Sequence, residues 1–478
     1  MSVIQGKYRA KTIQKSKQTV NIYLYFCIFF HKLGKKLDYF NFMCYYYSNS
    51  LLHFEEIKCV ERSTMNKKRK NKGRKPWARP RHAVVTAVAG ALLKPYVKWK
   101  YGIKPERFKE QGNRQYLILS NHQTGFDQFF VAYAFKGPLY YVASEDIFSM
   151  GFISTLLRWA VNPIPIKKQT TDVSAVMSCL RVAKEGNSIV IFPEGNRTFS
   201  GRPAHINPAI AMLAKKMGLP IVLFKIEGGY GVSPRWGDAV RKGEMRSYVS
   251  RVLEPEEYKS LSDCEFLQLI SDGLYVDEAR VDGEYHHKRL AEYLERAIYY
   301  CPKCNALSSF ESKDDEMECK SCGMKVRYLP TKELVGVNCE LPYRFVADWY
   351  EAQLDFVNSL DSTAKSLCDR PLYCEEGRLY EVVIYKNKKS LLDKAEMRLF
   401  GDRLEVRDGE QSLTFSFDDV RAITVCGKNK LNFYVGDKAY QFIGGPRFNA
   451  LKYVNLAFRY RNIKKKERGE EDDEFLGL

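Results

Sequence analysis

His122 and Asp127 stand five residues apart in Ser120-Asn121-His122-Gln123-Thr124-Gly125-Phe126-Asp127, directly after the apolar run Tyr116-Leu117-Ile118-Leu119. A neutral imidazole titrates close to working pH, so it can take a proton in a transition state and release it afterwards. A carboxylate on the other ring nitrogen would fix the tautomer and stabilise the imidazolium as it forms. No serine or cysteine stands in an obvious nucleophile motif, so the simplest chemistry is direct attack by an acceptor hydroxyl on an activated acyl carbonyl. Asp127 also has a structural explanation, because aspartate is favoured in the first turn of a helix, and the two roles are compatible. Further along, Phe192-Pro193-Glu194-Gly195-Asn196-Arg197 offers a place to hold an acidic acceptor.

The two blocks together resemble those of the glycerolipid acyltransferase family, the lysophosphatidate (1-acylglycerol-3-phosphate) acyltransferase type, over roughly residues 85 to 240. The resemblance implies that His122 is the general base and Asp127 its orienter. It also implies that Glu194, Gly195 and Arg197 help bind the glycerol phosphate of the acceptor. Two blocks depart from the family pattern. Where Gly-x-Ile-x-x-Arg is usual, the chain has Asn162-Pro163-Ile164-Pro165-Ile166-Lys167-Lys168, and a lysine offers a point charge in place of a planar fork. Pro220-Ile221-Val222-Leu223 lacks the second proline of the last block. Lys167 and Lys168 remain candidates for the phosphate, and the acceptor is open between 1-acylglycerol 3-phosphate and another lysolipid.

These blocks need an α/β layer to position them. Residues 116–119, 139–142, 188–192 and 221–224 are apolar runs of strand length. Asp127 opens one helical segment, and Asp172 opens another that ends at Gly186. The fold expected is an α/β acyltransferase domain over residues 111–300.

Cys301-Pro302-Lys303-Cys304 and Cys319-Lys320-Ser321-Cys322 form two Cys-x2-Cys knuckles. Each knuckle sets two thiolates on one face of a tight turn, and the pair completes a tetrahedron, so the spacing predicts a closed, structural metal site in a small zinc ribbon over residues 301–328. Iron suits the same ligands, and one zinc with no catalytic cofactor is the expectation. A helical connector follows at 329–369. Period-two alternation between Gly and Asp turns over 370–462, closed by a helical stripe, predicts an antiparallel β domain with a C-terminal helix. That pattern resembles the pleckstrin-homology-like fold. Residues 463–478 read as a disordered charged tail.

The net charge of +19 is carried by the amino-terminal arm: residues 1–110 hold 25 Lys/Arg against 6 Asp/Glu, and the rest of the chain holds 51 of each. Lys67 through Arg81 contain nine cations and no acid, and the apolar run Ala83 to Leu93 follows, with Tyr96 and Trp99 beyond. Eleven uncharged residues fall short of the roughly twenty that span a bilayer, so residues 65–110 are expected to dock on an anionic membrane surface. The balanced body disfavours nucleic acid, although a zinc-ribbon scaffold or nucleic-acid protein is the competing class. Residues 1–64 are expected to be translated leader or a disordered extension, with translation starting at Met65. The partners expected are the membrane surface, a lysophospholipid acceptor and an acyl thioester of acyl carrier protein or coenzyme A. An intact thiolate site suits a reducing compartment, so the placement expected is peripheral, on the cytoplasmic face of the cell membrane.

Overall fold

A computed structural model describes residues 75–166, 172–383 and 386–472. The expectations for residues 1–64, for the cations up to Arg74, for Lys167 and Lys168 and for the acidic end from Asp473 lie outside the described residues.

Helix α1 (Pro80–Tyr101) leads into a seven-stranded sheet made of β1 (Ile103–Pro105), β2 (Leu117–Ser120), β3 (Leu139–Ser144), β4 (Ile164–Ile166), β5 (Ser188–Ile191), β6 (Ile221–Glu227) and β7 (Met245–Leu253). The spatial order is β1-β7-β6-β2-β5-β3-β4. Strands β2 to β6 run parallel, and β7 is antiparallel to β6. Strand β2 is buried along its whole length, as a central parallel strand covered on both faces must be, which explains its continuous apolar run.

Alternation along the strands sorts the core into two layers. Leu117, Leu119, Ile189, Ile221 and Leu223 pack on one face with helices α4 (Val173–Lys184), α5 (Ala209–Met217) and α6 (Asp263–Leu274). Ile118, Val190, Val222 and Phe224 pack on the other, with α1 and α2 (Asp127–Ala134). A further helix, α3 (Phe152–Ala160), lies between β3 and β4 in the chain. Strand β1 pairs with β7, so the sheet takes its first strand from a segment that the sequence assigned to the amino-terminal arm.

The cysteine segment continues into a four-stranded antiparallel sheet of β8 (Phe310–Lys313), β9 (Glu316–Cys319), β10 (Lys325–Tyr328) and β11 (Leu334–Gly336). It therefore extends beyond residue 328 into the expected connector, whose main element is helix α7 (Val346–Ser359). Seven antiparallel strands follow: β12 (Tyr373–Val382), β13 (Lys389–Leu399), β14 (Arg403–Asp408), β15 (Gln411–Ser416), β16 (Val420–Cys426), β17 (Lys430–Val435) and β18 (Lys438–Gly444). Helix α8 (Leu451–Glu467) closes this domain, burying Leu451, Val454, Ala457 and Phe458. It runs through Lys464, Lys465 and Lys466, residues expected in a disordered tail. Three lysines in a last turn complement the negative end of the helix dipole, which accounts for the longer helix.

Phe199, Tyr230 and Trp236 of the first domain share one apolar cluster with the cysteine-bearing sheet and the C-terminal domain. The described residues from Pro76 onward belong to one compact unit. Among the described residues no helix is long and apolar enough to cross a membrane.

Candidate active site

Strands β2 and β5 are neighbours, with Leu117 opposite Ile189 and Leu119 opposite Ile191. The loops at their carboxyl ends therefore meet. One carries His122 and Asp127, the other Glu194, Gly195 and Arg197. Crevices at the carboxyl ends of parallel strands are where open α/β sheets bind ligands.

His122 Nδ1 lies 2.8 Å from Asp127 Oδ2, and its ring stacks on Phe192 with centroids 4.4 Å apart. Its side chain keeps 21% exposure whereas that of Asp127 has none. The Asp127 carboxylate also accepts the backbone N–H of Gln123 at 2.6 Å, that of Thr124 at 2.9 Å and the Thr124 hydroxyl at 2.6 Å. Asp127 thus ties the preceding loop to the first turn of α2 and faces the imidazole with the same carboxylate. Asn121 anchors the loop from behind: its side chain donates to the Ile226 carbonyl and accepts from the Ile226 N–H, both at 2.8 Å.

The Glu194 carboxylate is buried, and both oxygens are engaged by backbone. One accepts from His122 N and the other from Ala204 N, each at 3.0 Å. Burial pushes its pKa up to about 7, against the pull of these two N–H donors. Gly195 is exposed at φ +68°, in the left-handed region that glycine adopts without strain. The Arg197 guanidinium borders the histidine loop, since a Cβ on Gly125 would stand 3.9 Å from its Nη1. Burial holds its pKa below the ordinary arginine value, and the nearby Asp127 charge opposes that shift. Among the described residues the Arg197 guanidinium forms no ion pair. A cation with no ion-pair partner beside a histidine and carboxylate pair is suited to an anionic ligand.

Sequence reasoning missed Asn121, Thr124 and Arg235. The first two sit inside the histidine block, where their side-chain bonds to backbone carry no periodic signal. Arg235 lies in Pro234-Arg235-Trp236-Gly237, which reads only as a turn.

The second candidate site is the cysteine cluster. The Sγ atoms of Cys301, Cys304, Cys319 and Cys322 all lie within 4.8 Å of one another. Cys301 and Cys322 are 3.7 Å apart, and Cys304 and Cys319 are 3.8 Å apart. A tetrahedral thiolate site with metal–sulfur bonds of about 2.3 Å needs sulfur separations of about 3.8 Å, so the donor set fits a bound metal ion.

The site is thus a histidine paired with a buried carboxylate at the carboxyl ends of a parallel sheet, with an arginine alongside. Residues 103–226 match the family model described as Acyltransferase, and over that segment the chain is similar to glycerolipid acyltransferases. It is 28% identical over 142 residues to a 1-acyl-sn-glycerol-3-phosphate acyltransferase of Limnanthes alba, covering 29% of this chain and 50% of that one. It is 23% identical over 137 residues to the enzyme of the same name from Bacillus subtilis (strain 168), covering 28% and 65%. The chain spans about half the length of several curated relatives it matches. Among solved structures, the 1-acyl-sn-glycerophosphate (LPA) acyltransferase PlsC from Thermotoga maritima aligns with a TM-score of 0.35 at 18% identity, covering 40% of this chain and 78% of that chain.

Proposed function

We propose that the protein is a peripheral membrane O-acyltransferase that moves an acyl chain from a thioester to the free hydroxyl of 1-acylglycerol 3-phosphate. The observation that carries this reading is the His122–Asp127 pair beside the Arg197 guanidinium. His122 takes the acceptor's proton as the hydroxyl oxygen attacks the thioester carbonyl carbon, and Asp127 holds the imidazole and stabilises its cation. The tetrahedral intermediate collapses with cleavage of the carbon–sulfur bond. The imidazolium returns its proton to the departing thiolate, leaving an ester, a free thiol and an unchanged enzyme. Arg197 receives the acceptor's phosphate. Glu194 acts by positioning, because its two oxygens tie the histidine loop to the segment at Ala204.

Purified protein supplied with acyl carrier protein and coenzyme A thioesters and a panel of lysolipids tests the proposal. Product on 1-acylglycerol 3-phosphate is expected, and His122→Ala should lower turnover by about two to four orders of magnitude with fold and metal content retained. Transfer that survives His122→Ala would sink the mechanism. Product only on another lysolipid would keep the chemistry and replace the acceptor, an outcome kept open by the Lys167-Lys168 block.

Docking on an anionic membrane is supported by α1. One face buries Val85, Val97 and Tyr101, while Val84, Ala87, Ala91, Pro95 and Trp99 are exposed on another at helical spacing, Trp99 by 74%. Lys98 and Lys100 flank Trp99, an arrangement suited to lying in a headgroup layer. Trp99→Ala should weaken co-sedimentation with anionic vesicles without changing turnover on a soluble short-chain acceptor; equal vesicle binding by the variant would argue against this face. We assign the cysteine cluster to one structural zinc, which metal analysis of the purified chain should find at about one per chain.

A further inference from the structure

The Arg197 loop is gripped from a second side by a residue that no motif marks. Arg235, between β6 and β7, is 1% exposed. Its Nη1 donates to the Arg197 carbonyl at 2.8 Å, and its Nη2 donates to Asn196 Oδ1 at 3.4 Å. The same guanidinium reaches the C-terminal domain, with Nη2 donating to the Val425 carbonyl at 3.0 Å and Nε to the Gly427 carbonyl at 2.9 Å. Its flat face lies 4.1 Å from the centre of the Phe199 ring. Two further contacts run alongside: Asn196 Nδ2 donates to Thr424 Oγ1 at 3.3 Å, and Lys428 Nζ reaches Asp238 at 2.9 Å.

A guanidinium withdrawn from water with only carbonyl and amide oxygens for partners carries a large desolvation cost. Burial, and then the nearby charge of Arg197, pull its pKa down to about 9. A planar fork with fixed donor directions can hold three carbonyls and an amide oxygen at once, which an ammonium group cannot do. The oxygens so held come from two chain segments far apart in sequence: the loop after β5, where Arg197 stands, and the end of β16 with the turn that follows it. Apolar packing could have joined the domains without fixing where the backbone of residue 197 sits.

We propose that Arg235 is the positioning residue for Arg197, and that through it the β16–β17 turn of the C-terminal domain is a built part of the acceptor site. This rests on the reading of Arg197 as the group that receives the acceptor's phosphate. The C-terminal domain then serves acceptor recognition from within the same unit, and changes in its β16–β17 turn alter acceptor affinity without touching His122.

The test compares the unaltered full chain with Arg235→Lys and Thr424→Val by two readouts. In amide hydrogen exchange, Arg235→Lys should speed exchange over residues 194–200, with protection in β2 and β5 retained. In steady-state kinetics it should raise KM for the lysolipid about tenfold or more, while kcat and the donor KM change less than about threefold. A folded Arg235→Lys with unchanged loop exchange and unchanged acceptor KM overturns the proposal, as does an equal loss for donor and acceptor. Should Arg235→Lys fail to fold, Thr424→Val, which removes only the Asn196 contact, should still speed exchange at Asn196 and raise the acceptor KM by a smaller factor; no change in either overturns it. Were the unaltered chain to transfer to no lysolipid, the acyl-transfer reading would fall, and the exchange comparison alone would support or overturn the positioning role.

Discussion

Asp127 shows how much one carboxylate can be asked to do. It accepts from His122 Nδ1, two backbone N–H groups and the Thr124 hydroxyl, and no water reaches it. Asparagine at this position has one acceptor oxygen, and its amide hydrogens would face donors. Asp127→Asn should therefore lose acyl transfer and also cost about 1 to 3 kcal/mol of stability from the donors left unsatisfied. Denaturant titration beside an activity assay checks this, and an inactive variant of unchanged stability would mean that the loop does not depend on these bonds. His122 differs: it is partly exposed at the loop tip and packs chiefly on Phe192, so its removal should cost activity far more than stability.

At the scale of the element, α1 is seated by a buried histidine. His82 Nδ1 lies 3.1 Å from the Tyr140 hydroxyl, and Nε2 has no hydrogen-bond partner among the described residues. Burial pulls its pKa from 6.5 to about 4, and the charges of Arg81 and Arg79 add to the shift. Between these two values the unfolded chain binds more protons than the folded one, so stability rises with pH across that window and is lost as pH falls from about 6.5 towards 4. His82→Phe removes the ring that must be charged on unfolding. The decline in unfolding free energy from pH 7 to pH 5 should be shallower in the variant than in the wild type; parallel declines would show that His82 charges freely in the folded state.

For the whole molecule, the cysteine cluster is more than a local staple. Cys301, Cys319, Met324 and Tyr328 lie in the same apolar cluster as Trp236 of the first domain and Leu451 of α8. Arg241 bridges the first domain and this sheet, with its guanidinium 4.9 Å from the Trp236 ring and 4.8 Å from the Tyr328 ring. A metal held by the four cysteines would add its binding energy to folding, and the shared apolar cluster would carry that energy to Trp236, next to Arg235. Chelation should therefore lower the main thermal transition of the whole chain by about 5 °C or more, as should Cys301→Ser. A separate small transition for the ribbon, with the main one unmoved, would show that the sheet melts alone.

Much of this was legible in the chain itself because chemistry carried by neighbours in sequence leaves a local signature. The His122 and Glu194 blocks, the buried apolar strands and the paired knuckles are all set by spacing along a few residues. Strand and helix periods also marked the C-terminal sheet and its closing helix, although the lysines of its last turn read as tail because their compensation by the helix dipole appears only once the helix exists. Tertiary structure decided the rest. Only the placement of β5 beside β2 brings Arg197 to His122, and strand order is settled by packing and crossovers that a single run of residues does not encode. The family resemblance implies a headgroup role for Glu194, and only the folded chain shows its two oxygens bonded to two backbone amides, since which way a side chain faces depends on the loop opposite. Arg235 had no local signal at all, because its partners stand up to 192 residues away and meet it only after three sheets have packed into one unit.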